Sequence, residues 1–103
     1  MIEYLLNSLN VSTCNYCAVK EMESTLKANG YEELSMGLEW DLKVGKGYYI
    51  KKNSSAVFAF RVGKDIEKAA GFRIISAHSD SPGFKLKPNC EIYGENGVVF
   101  LNT

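Results

Sequence analysis

The sequence is short, neutral in net charge and of ordinary hydrophobicity. It has 103 residues, of which 46% are hydrophobic and 23% charged, and twelve acidic side chains balance twelve basic ones. A single domain of this length buries only about 65% of the surface of its unfolded chain. The balanced charge indicates no basic face, which makes nucleic acid and anionic membranes poor partners. The start of the chain lacks the features of a secretory signal, and no apolar run reaches membrane-spanning length, so a cytoplasmic location is expected.

The amino-terminal third has the apolar spacing of two helices. A short amphipathic first helix is predicted by four apolar residues at helical intervals, Ile2, Leu5, Leu6 and Leu9. Ser12 or Thr13 can cap a second helix that runs from about residue 14 to residue 29. The side chains expected to face the core from this second helix are Cys14, Cys17, Ala18, Met22 and Leu26. Glu23 and Lys27 are expected to pair on its outer face.

The three cysteines do not predict a disulfide scaffold, because their number is odd. Cys14 and Cys17 have the spacing of a metal or redox pair, but a zinc ribbon needs a second pair, and Cys90 alone does not supply it. A thioredoxin-like pair follows a strand, whereas helical sequence precedes this one. We therefore expect two small buried side chains, with a thiol redox module as the less favoured alternative.

The middle of the chain has the alternating pattern of strands. Glu33-Leu34 and Leu38–Leu42 are strand candidates, with Trp40 as a packing anchor. Residues 48–52 and 56–62 predict a hairpin joined through Asn53-Ser54-Ser55. Residues 63–71 form a charged connection with room for one helical turn. Near the end, residues 90–93 and 98–101 flank a Gly-Glu-Asn-Gly turn and predict a second hairpin.

The stretch from Phe72 to Pro88 reads FRIISAHSDSPGFKLKP and changes abruptly in character. It begins with an apolar run, Phe72, Ile74, Ile75 and Ala77, which includes two β-branched residues and predicts a buried strand. His78 and Asp80 follow directly, and polar groups at the carboxyl ends of strands commonly form ligand sites. Residues two apart in extended backbone share a face at roughly 6.5–7 Å. With a slight turn of the backbone, Asp80 can hold one ring nitrogen of His78 and leave the other free for a metal, although a satisfied polar strand end is the simpler alternative.

The segment Ala77-His78-Ser79-Asp80-Ser81-Pro82, followed by Lys87-Pro88, resembles the signature of the aspartyl aminopeptidase family of dinuclear zinc metallopeptidases. The similarity extends upstream through Leu38-Glu39-Trp40, residues 45–49 and residues 59–63, and covers the chain from about residue 14 to residue 88. One departure is Ser12-Thr13-Cys14-Asn15-Tyr16, where the family usually has a Ser/Thr-Pro-Phe-His segment. Two milder departures are Ser79 in place of threonine and Gly83 in place of cysteine.

The resemblance implies a metal-dependent peptidase. According to this resemblance, His78 is a zinc ligand and Asp80 is a catalytic-site residue that orients the imidazole, in a centre of two zinc ions. The implied substrates are peptides, from which the amino-terminal residue is removed, with acidic residues preferred by several members. The implied assembly is a homo-oligomer, a dodecamer in the best-known case.

One histidine does not make a hydrolytic centre, because a catalytic zinc normally takes three protein ligands and the reaction needs a general base. Asp65, Glu67, Glu91 and Glu95 lie in polar loop or turn contexts where a solvated role is expected. The remaining ligands and the base are therefore expected outside these 103 residues. The alternative is a non-catalytic structural or binding fragment in which His78 and Asp80 form a bare polar edge.

The predicted fold class is α/β, with two helices packed on the amino-terminal part of a mixed, zinc-peptidase-like sheet. Residues 1–88 are expected to form the amino-terminal part of a catalytic domain. The family resemblance implies that residues 89–103 begin an inserted dimerisation domain, truncated here.

Overall fold

The computed structural model describes residues 1–68 and 71–103 and contains two helices, five strands and two short 3₁₀ turns in that part of the chain. The helices are α1 (Ile2–Val11) and α2 (Asn15–Ala28). The strands are β1 (Glu32–Glu33), β2 (Gly47–Lys52), β3 (Ala56–Arg61), β4 (Glu91–Tyr93) and β5 (Val99–Leu101). None of the described helices is long and apolar enough to cross a membrane.

Both predicted helices form, but their caps and faces differ in part from the predictions. The residue that caps α2 is Cys14, whose sulfur accepts the backbone N–H of Cys17, rather than Ser12 or Thr13. Val19 is the buried residue of α2, at 2% exposure, whereas Met22 from the predicted stripe is 39% exposed. The helix is thus rotated from the predicted orientation, because Glu23 also bonds to the sheet.

A charged cluster centred on Glu23 fastens α2 to the sheet. Its Oε1 lies 2.7 Å from Lys27 Nζ, as predicted, but also 2.8 Å from Lys51 Nζ on β2. The hydroxyl of Tyr49, which is completely buried, donates to Glu33 Oε2 at 3.2 Å and lies 3.4 Å from Glu23 Oε1. The predicted Glu23–Lys27 pair is confirmed, and its predicted outer position is wrong, because Glu23 faces the sheet.

The first sheet is mixed and has the order β1-β2-β3. β1 runs parallel to β2, and β2 and β3 form the predicted antiparallel hairpin with Lys52 opposite Ala56. The intervening turn holds Asn53 and Ser54 at φ of 52° and 55°, a left-handed conformation that asparagine tolerates better than most residues. The predicted α/β class is confirmed by this arrangement of helices on a mixed sheet.

An aromatic cluster covers the sheet beside Trp40. The rings of Tyr48 and Phe58 each lie 5.7 Å from that of Phe60, and the ring of Trp40 lies 6.4 Å from it. Trp40 therefore packs as predicted, while its indole N–H donates to the carbonyl of Ser35. The predicted strand at residues 38–42 is wrong, because this segment forms no strand and pairs with no neighbour among the described residues.

The predicted buried strand at residues 72–77 is also wrong for this structure. The segment forms no strand and is unpaired within the described part of the chain, and the side chains of Phe72 and Ile75 are 95% and 98% exposed. An apolar strand is stable only when neighbouring strands satisfy its backbone and cover its side chains. Since no described strand lies beside it, the apolar residues face water.

The carboxyl-terminal residues form the second predicted hairpin. β4 and β5 pair antiparallel, with Ile92 opposite Phe100, around a turn that contains Asn96 and Gly97 at φ of 59° and 75°. The predicted helical turn in the charged connection is present at Ile66–Lys68, and Ala69 and Ala70, also in that connection, lie outside the described residues. The radius of gyration is 19.8 Å, against about 13 Å for a compact chain of this size.

Candidate metal centre

The structure brings His78 and Asp80 together. Nδ1 of His78 lies 2.8 Å from the backbone oxygen of Asp80 and 3.2 Å from its carboxylate Oδ1. Both of these atoms accept hydrogen bonds, so the arrangement fits a tautomer in which Nδ1 carries the proton. The lone pair of Nε2 is then free to bind a metal ion.

The pair lies on the surface of this structure, with His78 and Asp80 side chains 81% and 78% exposed. Water screens the attraction between such exposed groups, so the carboxylate adds little through charge alone. The contribution of Asp80 is therefore mainly geometric: its two acceptors hold one ring nitrogen and direct the other outward.

The segment that carries the pair is anchored at two points, one between the two residues and one further along the chain. The hydroxyl of Ser79, which is half-buried, donates to the backbone oxygen of Ser55 in the β2–β3 turn at 3.0 Å. Lys87 donates its backbone N–H to the carbonyl of Asn102 at 3.2 Å, and its Nζ lies 2.9 Å from Asn102 Oδ1. Sequence reasoning missed both anchors, because nothing in either motif marks a partner so distant along the chain.

The donor set fits part of a zinc site. An imidazole whose second nitrogen is held by a carboxylate or carbonyl is a common zinc ligand arrangement. Among the residues described, however, no group of three or more histidine, cysteine, aspartate or glutamate side chains is placed to hold a metal ion. Glu91, one of the carboxylates considered above, instead accepts the hydroxyl of Tyr93 at 2.5 Å. These residues therefore supply one ligand and its orienting group.

A shallow depression elsewhere on the surface does not coincide with the pair. It lies between the end of α2 and β3 and is lined by Thr25, Leu26, Asn29, Tyr31 and Arg61. No titratable pair of the kind found at His78 lines it, so it does not change the assignment of the site.

The second candidate pair, Cys14 and Cys17, also comes together, with the two sulfurs 3.0 Å apart. Cys14 is exposed and Cys17 is half-buried. The prediction of two buried apolar side chains is wrong for Cys14, because a capping residue projects its side chain outside the first helical turn.

Comparison with known proteins identifies the family to which this chain belongs. The chain matches the family model of aminopeptidase I zinc metalloproteases, M18, over residues 8–103. The chain therefore belongs to the M18 family of zinc metalloproteases, which confirms the predicted resemblance.

Two curated relatives illustrate the similarity. The chain is 40% identical over 99 residues to the probable M18 family aminopeptidase 2 of Clostridium novyi, an alignment that covers 96% of this chain and 23% of that protein. It is 40% identical over 98 residues to the probable aspartyl aminopeptidase of Ricinus communis, with 91% and 20% covered. The chain thus spans only about a fifth to a quarter of the length of these relatives.

A solved structure shows the same fold over nearly the whole chain. A chain in the cryo-EM structure of the Ape4 and Nbr1 complex superimposes with a TM-score of 0.83 at 31% identity. The match covers 93% of this chain and 18% of that chain.

Proposed function

We propose that this chain forms the amino-terminal part of the catalytic domain of a zinc-dependent aminopeptidase, which removes the amino-terminal residue from peptides. The observation that carries the proposal is the bond of His78 Nδ1 to Asp80, which leaves Nε2 free, within a chain of a zinc metalloprotease family. The names of the relatives, M18 family aminopeptidase and aspartyl aminopeptidase, support the reaction class.

His78 and Asp80 have separate roles in this proposal. Nε2 of His78 would bind a zinc ion, while Asp80 keeps the proton on Nδ1 and fixes the ring plane. Ser79 would hold the segment against the β2–β3 turn, so that the imidazole keeps its place. When bound, zinc polarises the substrate carbonyl and activates water for hydrolysis. The other ligands and the general base would come from residues outside these 103.

The finer features of the centre also belong to the proposal. Two zinc ions per site, a preference for acidic amino-terminal residues and a cytoplasmic location follow from the family resemblance. The relative named as an aspartyl aminopeptidase supports the preference for acidic residues.

We further propose that residues 72–77 become a buried strand in the catalytic domain. Phe72, Ile74 and Ile75 are between 79% and 98% exposed in this structure. Covering such side chains stabilises a fold by about 1.5–3 kcal/mol each, so neighbouring strands from the rest of the domain would be strongly favoured. His78 would then lie where a buried strand ends, as the sequence pattern predicts.

The β4–β5 hairpin, in residues 89–103, would begin a dimerisation domain. Val99 and Leu101 share one of its faces and are 47% and 60% exposed, which supports a role in contact between subunits of a homo-oligomer such as a dodecamer. Replacing both with serine should reduce the assembly measured by light scattering. A variant that assembles like the wild type would contradict this role.

The reaction is tested on the protein at its full natural length and on these 103 residues alone. With zinc supplied, the full-length protein should hydrolyse amino-acid anilides, and a chelator should abolish this activity. The 103-residue chain alone should show no turnover, because one histidine does not form a hydrolytic centre. Failure of the full-length protein to hydrolyse any aminoacyl substrate in the presence of zinc, cobalt or manganese would favour the alternative of a non-catalytic binding fragment.

A further inference from the structure

A pair of thiols lies at the start of α2, apart from the histidine site. The sulfurs of Cys14 and Cys17 are 3.0 Å apart, and a disulfide requires about 2.05 Å between sulfurs. The spacing of three residues at the start of a helix therefore places the two thiols where a small rotation can join them.

The surroundings of Cys14 favour its thiolate. Hydrogen bonding from the Cys17 thiol, then from the Cys17 backbone N–H at 3.3 Å, lowers the pKa of Cys14, and the positive charge of Lys85 adds a smaller effect. The ammonium of Lys85 lies 5.8 Å from the centre of the Tyr16 ring, beside the pair. An exposed thiol near a helix amino terminus and a cation is the usual setting of a reactive cysteine.

Two simpler roles fit this pair poorly. A structural zinc needs four ligands, and the described residues place no third histidine, cysteine, aspartate or glutamate beside these sulfurs to hold a metal ion. A packing role needs burial, and Cys14 is exposed.

We propose that Cys14 and Cys17 form a reversible thiol–disulfide site that reacts with low-molecular-weight disulfides, with Cys14 as the nucleophile and Cys17 as the resolving thiol. Cys14 is the more exposed residue, and its sulfur accepts the backbone N–H of Cys17, whereas Cys17 is half-buried and accepts a long contact of 3.7 Å from the Thr13 hydroxyl. This assignment does not depend on the proposed peptidase activity.

The exchange proceeds in two steps. The Cys14 thiolate attacks one sulfur of the small disulfide, forms a mixed disulfide and releases the other half as a thiolate. Cys17 then loses its proton, and its sulfur attacks the Cys14 sulfur and releases the second half. The two cysteines lose two electrons and two protons, and the small disulfide gains them to become two thiols.

The test treats the reduced protein with oxidised glutathione at neutral pH and follows its intact mass and its peptides. The wild type should lose the mass of two hydrogens and contain a Cys14–Cys17 link, with Cys90 still free to alkylate. The variant Cys17→Ser should stop at one glutathionyl group on Cys14, and Cys14→Ser should form no intramolecular link. In the reduced protein, iodoacetamide should modify Cys14 at least about fivefold faster than Cys90.

Cys90→Ser is the matched control, since Cys90 is half-buried and lies outside the pair. This variant should form the Cys14–Cys17 link as readily as the wild type. The proposal is overturned if Cys14 and Cys17 of the wild type stay free thiols under oxidant that converts dithiothreitol completely, or if Cys14 is glutathionylated without ever forming the link. Because neither measurement uses peptidase activity, failure here leaves the zinc site unaffected.

Discussion

The Nδ1 atom of His78 lies closer to the backbone oxygen of Asp80, at 2.8 Å, than to its carboxylate Oδ1, at 3.2 Å. Asp80 therefore orients the imidazole through two acceptors, of which only one belongs to the side chain. Every substitution at residue 80 keeps the backbone oxygen. Substitutions there therefore measure how much the carboxylate alone contributes to the orientation of the imidazole.

Substitutions at Asp80 should have graded effects in the full-length protein. Asp80→Asn keeps a neutral side-chain acceptor as well as the backbone oxygen, so zinc affinity or activity should fall by about tenfold. Asp80→Ala leaves the backbone oxygen alone and should cost up to about 100-fold. Zinc binding measured by competition with a chelating dye and turnover of an aminoacyl anilide check both values.

The matched control for this series is Asp65→Asn, which removes a carboxylate from the charged connection rather than from the histidine pair. It should bind zinc as the wild type does. If both Asp80 variants also match the wild type, Asp80 is only a surface group and its assigned role is wrong.

The anchor of the site segment can be tested through Ser79, whose hydroxyl bonds to the Ser55 carbonyl at 3.0 Å. Ser79→Ala should remove one hydrogen bond worth about 0.5–1.5 kcal/mol and weaken zinc binding by a factor of about 2 to 12. Ser79→Thr keeps the hydroxyl and should stay close to the wild type. Hydrogen exchange of the amides at 78–81 should quicken in the alanine variant alone, and equal exchange in the two variants would argue against the anchor.

The Glu23 cluster predicts a specific loss of stability in acid. Hydrogen bonds from Lys27 and then Lys51 lower the pKa of Glu23 from 4.5 to about 2 in the folded protein. Because the folded pKa lies below the unfolded one, this contribution is complete above pH 4.5 and is lost as the pH falls towards 2. Urea unfolding at several pH values should show the decline, and Glu23→Gln should flatten it.

The size of that effect is modest, since both lysines are partly exposed to water. Glu23→Gln should lower the free energy of unfolding at neutral pH by about 1 kcal/mol. Glu39→Gln, at an exposed position in the segment after β1, serves as the control and should keep the wild-type pH dependence. A Glu23→Gln variant whose acid dependence equals that of the wild type would show that the cluster contributes nothing.

The local patterns of this chain could be predicted where neighbours in sequence decide the structure. Both helices, the hairpin around Asn53 and the hairpin of β4 and β5 depend on spacing and turn residues, and each formed where it was expected. The contact of His78 with Asp80 was predicted for the same reason, since two residues of separation in extended backbone suffice to bring them together. Whether His78 binds zinc stays a prediction.

Other features depend on contacts that a sequence pattern does not contain. Glu23 faces the sheet because it pairs with Lys51, which is distant in sequence. The spacing of Glu23 and Lys27 within one helix does not predict that second partner. The strand at residues 72–77 was predicted from apolar, β-branched residues, but such a run forms a strand only when partners lie beside it. Cys14 is exposed because it caps α2. Capping propensities do not decide reliably between neighbouring residues such as Ser12, Thr13 and Cys14.

The most direct test of the central claim is the zinc content of the protein at its full natural length with His78→Ala, measured by elemental analysis beside anilide turnover. If Nε2 of His78 is a zinc ligand, the variant should stay folded, lose bound zinc and lose nearly all of its activity. His78→Ala that retains the wild-type amount of zinc and the wild-type turnover would contradict the assignment of His78 as a metal ligand.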